Sequence, residues 1–193
     1  MDISLQKNEL RKIIRGLKNN ADPQQKKTAS EQIFQQVESL PVFRTAKTIL
    51  LYWSLPDEVH THDFVAKWYK QKKILLPIVK GDELELRHFT GLDCLQKGEA
   101  FGILEPYKGA PSSGNDIELG IIPGVAFDSK GNRLGRGKAY YDKLLRKKRF
   151  FSVGVCFHFQ MVEKVPVESS DIPVDRVICL SNFPPSLPCK HFL

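Results

Sequence analysis

The amino-acid sequence predicts an α/β fold with a mostly parallel central sheet. Two short apolar runs, at residues 48–53 and 74–79, flank a helix-like segment that contains Phe64, Val65 and Trp68. Such a strand, helix and strand series is typical of parallel pairing, because parallel neighbours need a crossover connection. The chain has 193 residues, of which 41% are hydrophobic and 26% charged, as expected for a globular domain.

Two amphipathic helices are predicted before the first strand. The apolar stripe of the first helix recurs at i, i+3, i+4 and i+7 and consists of Leu10, Ile13, Ile14 and Leu17. The second helix is predicted to begin with Asp22 as N-cap and Pro23 at its first helical position, and to end at Pro41. Its apolar stripe consists of Ile33, Phe34, Val37 and Leu40.

The remaining elements are predicted from changes in the spacing of apolar residues along the chain. A half-exposed strand around Leu84 to His88 is predicted to pair with residues 74–79 through the turn at Gly81 and Asp82. Residues 109–115, rich in Gly, Pro and Ser, are predicted to form a loop. Further strands are predicted at 117–122, 151–157 and 174–180, with a helix at 140–147.

The chain is predicted to be a single domain spanning residues 1–193, with a mobile Pro-rich tail from about residue 181. Its apolar runs are too short for a membrane span, and its N-terminus lacks the basic segment followed by an apolar segment that is typical of a secretory signal. Location in the cytoplasm is therefore expected. The four cysteines stand singly, which argues against a zinc site or a disulfide framework.

The net charge of +7 and the pI near 9.2 indicate an anionic partner. Charge alone does not identify that anion. Nucleic acid, a nucleotide and a polyglutamylated small molecule would all be attracted by the same field.

The segment with the strongest chemical signal is residues 131–142, GNRLGRGKAYYD, between a predicted strand and a predicted helix. Its glycines allow close approach of a ligand, and Arg133, Arg136 and Lys138 supply positive charge, so the segment could hold a phosphate. Asn132 and Ala139 break a Walker-type loop, and Tyr140 breaks the dinucleotide fingerprint. On spacing alone, an ordinary turn and a phosphate cradle both remain open.

This segment, together with the preceding PGVAFD at residues 123–128, resembles the signature of the 5-formyltetrahydrofolate cyclo-ligases, also called methenyltetrahydrofolate synthetases. The similarity extends to the basic first helix, to the EVHT turn at residues 58–61, to GILEP at 102–106, and to the region from Val153 through Gln160 to Pro173. It covers nearly the whole chain.

The resemblance implies a three-layer α/β sandwich and a phosphoryl-transfer reaction. In that reaction ATP phosphorylates the formyl oxygen of 5-formyltetrahydrofolate, N10 attacks the activated carbon, and 5,10-methenyltetrahydrofolate, ADP and phosphate are released. The implied cofactor is Mg²⁺. The implied partners are the reduced folate, polyglutamylated or not, and ATP, with neither nucleic acid nor membrane, and a monomer is expected.

The resemblance also assigns roles to individual residues. The implied catalytic residues are Arg136, Lys138 and Tyr140, and the implied metal ligands are Asp142 and Asp171. ATP would be bound by Lys7, Arg11, Arg133, Leu134, Gly135, Arg136, Gly137, Lys138, Ala139, Tyr140 and Tyr141. The folate would be bound by Leu55, Glu58, His60, Phe101, Arg136, Gly137, Lys138, Ala139 and Tyr140.

Several of these residues have a simpler interpretation. Lys7 and Arg11 could form a solvated helix face, Phe101 could belong to the core, Asp142 to a helix surface and Asp171 to a turn. Three positions depart from the family pattern: His60 replaces an acidic residue, Ala139 a glycine, and Ser170 a histidine. Because Ala139 precedes a predicted helix, we expect it to have a negative φ angle and to tolerate alanine.

Two other classes of protein compete with the enzyme. The chain could be a folate- or nucleotide-binding module that has lost activity, or a basic RNA-associated protein on the same fold. The second alternative is weakened because the sequence contains no RNA-recognition motif.

Overall fold

The structure is a computed structural model that describes residues 2–98, 102 and 104–180. The predicted folate-binding residue Phe101, one of the four cysteines and the predicted tail from residue 181 lie outside the described residues. All statements about the fold below refer to the described part of the chain.

Three helices precede the sheet: α1 (Ile3–Asn20), α2 (Pro23–Ser39) and α3 (Pro41–Thr45). The carboxylate of Asp22 accepts hydrogen bonds from the backbone N–H groups of Gln24 and Gln25, which confirms the predicted N-cap. Pro41 ends the second helix as predicted, and it also begins α3, since proline fits the first position of a helix.

The described residues contain eleven strands: β1 (Thr48–Leu50), β2 (Lys73–Lys80), β3 (Glu83–His88), β4 (Gln96–Lys97), β5 (Leu104–Glu105), β6 (Pro111–Ser112), β7 (Leu119–Ile122), β8 (Ala126–Phe127), β9 (Arg133–Leu134), β10 (Phe151–Cys156) and β11 (Arg176–Cys179). Seven of them form the main sheet, in the spatial order β11-β10-β7-β1-β2-β3-β6. The four pairs from β11 to β2 are parallel, whereas β3 and β6 are antiparallel to their neighbours.

Two helices lie between strands. Helix α4 (His62–Trp68) connects β1 to β2, and α5 (Tyr140–Lys147) precedes β10. Short 3₁₀ turns span Leu92–Cys94 and His158–Gln160. The bounds of α5 match the prediction, as does the crossover through α4.

Three predictions about strands were incomplete. Strand β1 ends at Leu50 rather than Trp53, because the side chain of Thr61 donates to the carbonyl of Tyr52 at 2.6 Å and takes the place of a sheet partner. The predicted loop at 109–115 contains β6, which begins with Pro111 at the sheet edge, where a missing N–H is tolerated. The two-stranded pairs β4–β5 and β8–β9 were missed, since each strand has two residues.

Helices cover both faces of the sheet, which confirms the three-layer α/β sandwich. Successive residues of β1 point to opposite faces, so Ile49 packs with the apolar side chains of α2 and α4, whereas Leu50 packs with Leu144 of α5. Ile14 of α1 belongs to a third cluster beneath the β8–β9 pair. The apolar stripe predicted for α2 is fully buried, whereas in the stripe predicted for α1 only Ile14 is buried and the other three residues are half-buried.

No helix within residues 2–98, 102 and 104–180 is long and apolar enough to cross a membrane.

Candidate active site

A cleft opens beyond the carboxyl end of β1, where open α/β sheets usually bind ligands. It lies between the segment that follows β1, the β2–β3 hairpin and the loop at residues 135–139, and its cavity volume is about 130 Å³. Its lining combines apolar, charged and tyrosine side chains. It comprises Tyr52, Trp53, Leu55, Glu58, Pro77, Val79, Leu84, Leu104, Glu105, Pro123, Gly124, Arg133, Gly135, Arg136, Lys138, Ala139, Tyr140, Tyr141 and Asp142.

The segment after β1 holds Glu58 at one wall of the cleft. The hydroxyl of Tyr52 donates to the carbonyl of Val59 at 3.0 Å, and burial raises the pKa of this tyrosine. The backbone N–H of Leu55 donates to Oε2 of Glu58 at 3.0 Å, so one carboxylate oxygen is occupied and the other faces the opposite wall. The orientation of Glu58 is therefore set by the backbone of its own turn.

Asp128 organises the turn that precedes the 135–139 loop. Its carboxylate accepts from the backbone N–H groups of Lys130, Asn132 and Val165 and from the side-chain amide of Asn132, at 2.9 to 3.1 Å. Burial would raise the pKa of Asp128, but these hydrogen bonds outweigh it and hold the pKa below its usual value. The aspartate of the PGVAFD motif is thus structural, and it fixes the start of β9.

Arg133 and Asp142 form a buried ion pair beneath the loop. Their side chains are 3% and 11% exposed, and Arg133 Nη2 donates to Asp142 Oδ2 at 2.8 Å. Asp142 Oδ1 accepts from the backbone N–H of Ile172 at 3.2 Å. Asp142 is therefore a buried residue of the cleft and not a helix-surface residue. Arg133 Nε has no hydrogen-bond partner among the described residues.

Arg136 reaches across the cleft to the acidic wall. Its guanidinium donates to Glu58 Oε1 at 3.0 and 3.2 Å and to Asp57 Oδ1 at 2.7 Å. Burial opposes the positive charge, but the carboxylates of Glu58 and Asp57 outweigh it and raise the pKa of Arg136. A cation of the loop and an anion of the turn after β1 thus meet in the same cleft.

Helix α1 contacts two parts of the site through residues one turn apart. Arg11 Nε donates to the carbonyl of Gly135 at 2.9 Å, and Lys7 Nζ donates to Asp171 Oδ2 at 2.6 Å and to Glu168 Oε2 at 2.9 Å. Burial lowers the pKa of Lys7, but its bonds to the two carboxylates prevail and raise it. Both basic residues therefore face the protein and do not form a solvated helix face.

The prediction for Ala139 is wrong. Its φ and ψ angles are 54° and 18°, a left-handed conformation, and it is the one non-glycine residue with positive φ within the described ranges. We expected a negative φ because Ala139 directly precedes the predicted helix, whereas it is the N-cap that turns the chain from Gly137, with φ of 106°, into α5. Glycine would adopt this conformation at lower cost.

The structure brings most of the predicted site residues to one cleft. Those in its lining are Leu55, Glu58, Arg133, Gly135, Arg136, Lys138, Ala139, Tyr140, Tyr141 and Asp142. The ring of Tyr140 is near the β2–β3 turn, where its hydroxyl donates to the carbonyl of Gly81 at 3.2 Å. Burial raises the pKa of Tyr141 far above its usual value, so its hydroxyl stays protonated.

Other predicted residues lie apart from this lining. Leu134 is buried with Ile14 in the core, and His60 lies in a neighbouring surface groove that also contains Lys26 and Lys27. Lys7, Arg11, Gly137 and Asp171 adjoin the loop or its supports, as described above. The side chain of Leu134 therefore belongs to the core, and its carbonyl accepts from the backbone N–H of Val125 at 2.7 Å.

Sequence reasoning missed several cleft residues. Tyr52 and Trp53 lie two and three residues beyond the end of β1, so the rule that ligands bind beyond the carboxyl ends of parallel strands could have found them. Pro77, Val79 and Leu84 lie inside the β2–β3 hairpin, and only the bend of that hairpin over the cleft brings them there. Their apolar pattern carries no ligand signal.

Together the fold and the site define an α/β protein whose cleft pairs a basic glycine-containing loop with an acidic turn and apolar walls. The family described as 5-formyltetrahydrofolate cyclo-ligase matches residues 3–180. A Haemophilus influenzae protein named 5-formyltetrahydrofolate cyclo-ligase is 33% identical over 180 residues, covering 88% of this chain and 95% of the relative.

Two solved structures have the same fold. The Aquifex aeolicus 5,10-methenyltetrahydrofolate synthetase superposes with a TM-score of 0.83 at 36% identity, over 96% of this chain and 97% of its own. A Mycoplasma pneumoniae 5,10-methenyltetrahydrofolate synthetase superposes with a TM-score of 0.73 at 26% identity, over 89% and 97%. The chain belongs to the 5-formyltetrahydrofolate cyclo-ligase family, a family of ligases.

Proposed function

We propose that this chain catalyses the ATP- and Mg²⁺-dependent cyclisation of 5-formyltetrahydrofolate to 5,10-methenyltetrahydrofolate, a reaction of folate one-carbon metabolism. The observation that supports this most directly is the cleft itself. Arg136 and Lys138 of the loop face Glu58 and Leu55 of the turn after β1 within one cavity. This contact supports the proposal that the loop binds phosphate and that the turn after β1 binds the folate.

The first step is a phosphoryl transfer. The formyl oxygen attacks the γ-phosphorus of ATP, the bond from that phosphorus to the β,γ-bridging oxygen breaks, and ADP leaves with the electron pair. Such a reaction requires alignment and neutralisation of charge on the phosphoryl oxygens. Arg136 and Lys138 supply that charge in our proposal, and Lys7, Arg11, Arg133 and the backbone of residues 134–141 hold ATP.

The second step is ring closure. N10 attacks the formyl carbon, the carbon–oxygen bond breaks, phosphate departs with that oxygen, and the N10 proton is lost to solvent. Phosphorylation is needed because the oxygen of an amide is otherwise a poor leaving group. Trp53, Leu55, Pro77 and Val79 provide apolar walls for the folate, which limit the access of water to the activated carbon. Tyr140 is proposed to lie beside the formyl group or the pterin.

Mg²⁺ is proposed to be held by Asp142 and Asp171. These carboxylates belong to neighbouring segments, since Asp142 accepts from the N–H of Ile172, the residue after Asp171. Within the described ranges no group of three or more His, Cys, Asp or Glu side chains could hold a metal. Two carboxylates nevertheless suit Mg²⁺, which usually completes its shell with substrate phosphates and water. When bound, the ion would neutralise phosphate charge.

The proposal is tested with purified protein, 5-formyltetrahydrofolate, ATP and Mg²⁺. The absorbance of the methenyl product is expected to appear only when ATP is present, with one ADP formed for each ring closed. Binding of the folate without any absorbance change would instead favour a binding module. ADP formation that does not require the folate would contradict the proposed reaction.

The metal assignment predicts the behaviour of Asp171→Asn. This variant is expected to need more Mg²⁺ for half-maximal activity and to keep its fold, because Lys7 retains its contact with Glu168 at 2.9 Å. Glu168→Gln is the matched control: it removes the negative charge of the other partner of Lys7 but removes no proposed metal ligand. Equal magnesium requirements in the two variants would contradict the assignment.

Asp142→Asn is a less specific test of the metal site. Asp142 neutralises Arg133, whose side chain is 3% exposed, and loss of one partner of a buried ion pair costs about 3 kcal/mol or more. Asp171→Asn is therefore expected to keep the fold, whereas Asp142→Asn is expected to lower stability as well as metal binding.

The remaining features of the protein are proposed as follows. We expect residues 1–193 to form one domain that acts as a monomer on small molecules, without nucleic acid or membrane, in the cytoplasm. His60, and Phe101 beyond the described residues, are kept as proposed contacts of the folate.

A further inference from the structure

Arg136 belongs to a series of alternating charges, Lys18–Asp57–Arg136–Glu58, that begins outside the predicted site. Lys18 Nζ lies 3.1 Å from Asp57 Oδ2, while Arg136 Nη2 lies 2.7 Å from Asp57 Oδ1 and 3.0 Å from Glu58 Oε1. Lys18 is in the last turn of α1, and Asp57 is in the turn that follows β1. Neither residue was a predicted site residue.

Lys18 is buried, with only 5% of its side chain exposed. Burial lowers the pKa of its ammonium group, and the charge of Asp57 works against that shift. A buried ammonium without a carboxylate partner would be strongly unfavourable, so Asp57 is held in place. Burial would also raise the pKa of Asp57, but Lys18 and Arg136 prevail and lower it, which keeps this carboxylate ionised.

The two oxygens of Asp57 have separate partners. Oδ2 accepts a hydrogen bond from Lys18, and this contact leaves Oδ1 facing Arg136. Arg136 stands in the loop between Gly135 and Gly137, and its side-chain partners in the described part of the chain are Asp57 and Glu58. Glu58 is also the proposed folate contact, so a bound folate would compete with Arg136 for this carboxylate. Asp57 would then remain as the partner of Arg136.

We propose that Asp57, oriented by the buried ammonium of Lys18, is a positioning residue that aims Arg136 at the transferred phosphoryl group. This inference rests on the proposed function. Asp57 itself touches neither substrate, and it acts only through the guanidinium of Arg136.

The test is the steady-state kinetics of Asp57→Asn, which preserves the size of the side chain. We expect kcat to fall by about tenfold or more, because a small misplacement of a charged group is costly in a phosphoryl transfer, while KM for ATP and for the folate changes less than about twofold. Lys18→Met is expected to lower kcat in the same direction. It provides a second route to the result if Asp57→Asn does not fold.

A double-mutant cycle separates positioning from a general structural role. Asp57→Asn added to Arg136→Ala is expected to cause no further loss of kcat, since its effect passes through the missing guanidinium. Asp116→Asn is the matched control, because Asp116 also pairs with a lysine, Lys73 at 2.8 Å. It contacts the first residue of β1, at the opposite end of that strand from Asp57. Its kcat is expected to equal that of the wild type.

Several outcomes would overturn the inference. These are an unchanged or raised kcat in Asp57→Asn, a change in KM alone, or losses that multiply in the Asp57→Asn/Arg136→Ala variant. Failure of the proposed function is a different result, because it would appear as a wild-type protein that forms no methenyl product.

Discussion

Ala139 adopts a left-handed backbone conformation in which alanine is less favourable than glycine. Ala139→Gly is therefore expected to increase the free energy of unfolding by about 1 kcal/mol, since glycine relieves the contact between Cβ and the backbone. For a domain of this size the melting temperature should rise by about 2–4 °C. Thermal unfolding measures this change, and kcat/KM should stay within about tenfold of the wild type.

The same substitution in a regular helix provides a control of opposite sign. Ala66 is exposed in α4, and Ala66→Gly is expected to lower stability by about 0.5–1 kcal/mol. A fall in the melting temperature of both variants would show that Ala139 is not strained. A large gain in activity for Ala139→Gly would mean that the methyl group crowds the site.

Arg136 and Lys138 are expected to stabilise charge in the phosphoryl-transfer transition state. Both are exposed residues of the cleft loop, and their replacement by alanine should each lower kcat by about 10² or more. Lys130→Ala is the control, because Lys130 is exposed in the adjacent turn and lies outside the cleft lining. Near wild-type turnover of either cleft variant would restrict its residue to a structural role.

At the scale of the element, the turn at residues 128–132 depends on the carboxylate of Asp128. Its pKa is lowered in the folded protein, so its stabilising contribution is present above about pH 4, the ordinary value, and is lost as the pH falls through the folded pKa. Asp128→Asn is therefore expected to lower the free energy of unfolding at neutral pH by about 2 kcal/mol or more. Below about pH 4, the free energy of unfolding of this variant should fall less steeply with decreasing pH than that of the wild type.

Denaturant unfolding across this acid range measures both effects. Asp22→Asn serves as the control, because asparagine caps a helix as well as aspartate and Asp22 is exposed at the start of α2. An Asp128→Asn protein with the same acid dependence as the wild type would mean that the carboxylate charge does not support the turn.

At the scale of the whole molecule, the net charge of +7 attracts anionic substrates. The affinity for ATP is therefore expected to fall as ionic strength rises, because salt screens the basic residues around the cleft. Titration calorimetry at several sodium chloride concentrations measures this effect, with a neutral osmolyte as the control. An affinity independent of salt would show that contacts other than charge dominate ATP binding.

The sequence alone was sufficient to identify the family, to order the main helices and strands, and to place the start of α2 and both ends of α5. These features depend on signals that are close together in the chain: the stripe of α1, the cap of Asp22 before Pro23, and the length of α5. Parallel pairing of β1 and β2 was predictable because a helical segment, α4, separates the two apolar runs, and parallel neighbours need such a crossover connection. The part of the cleft lining that lies between Arg133 and Asp142 was predictable through the signature segment at 131–142.

How charges pair within that cleft depends on the tertiary structure. The Lys18–Asp57–Arg136 series joins residues that are distant in sequence, and the Arg133–Asp142 pair joins residues nine positions apart across the cleft loop. No local pattern predicts which carboxylate meets which cation. The left-handed backbone of Ala139 was also invisible, because a residue before a helix can be its N-cap or its first turn, and these have opposite preferences for glycine. Local propensity sets the elements, whereas burial and long-range packing set the electrostatics and the strain of the site.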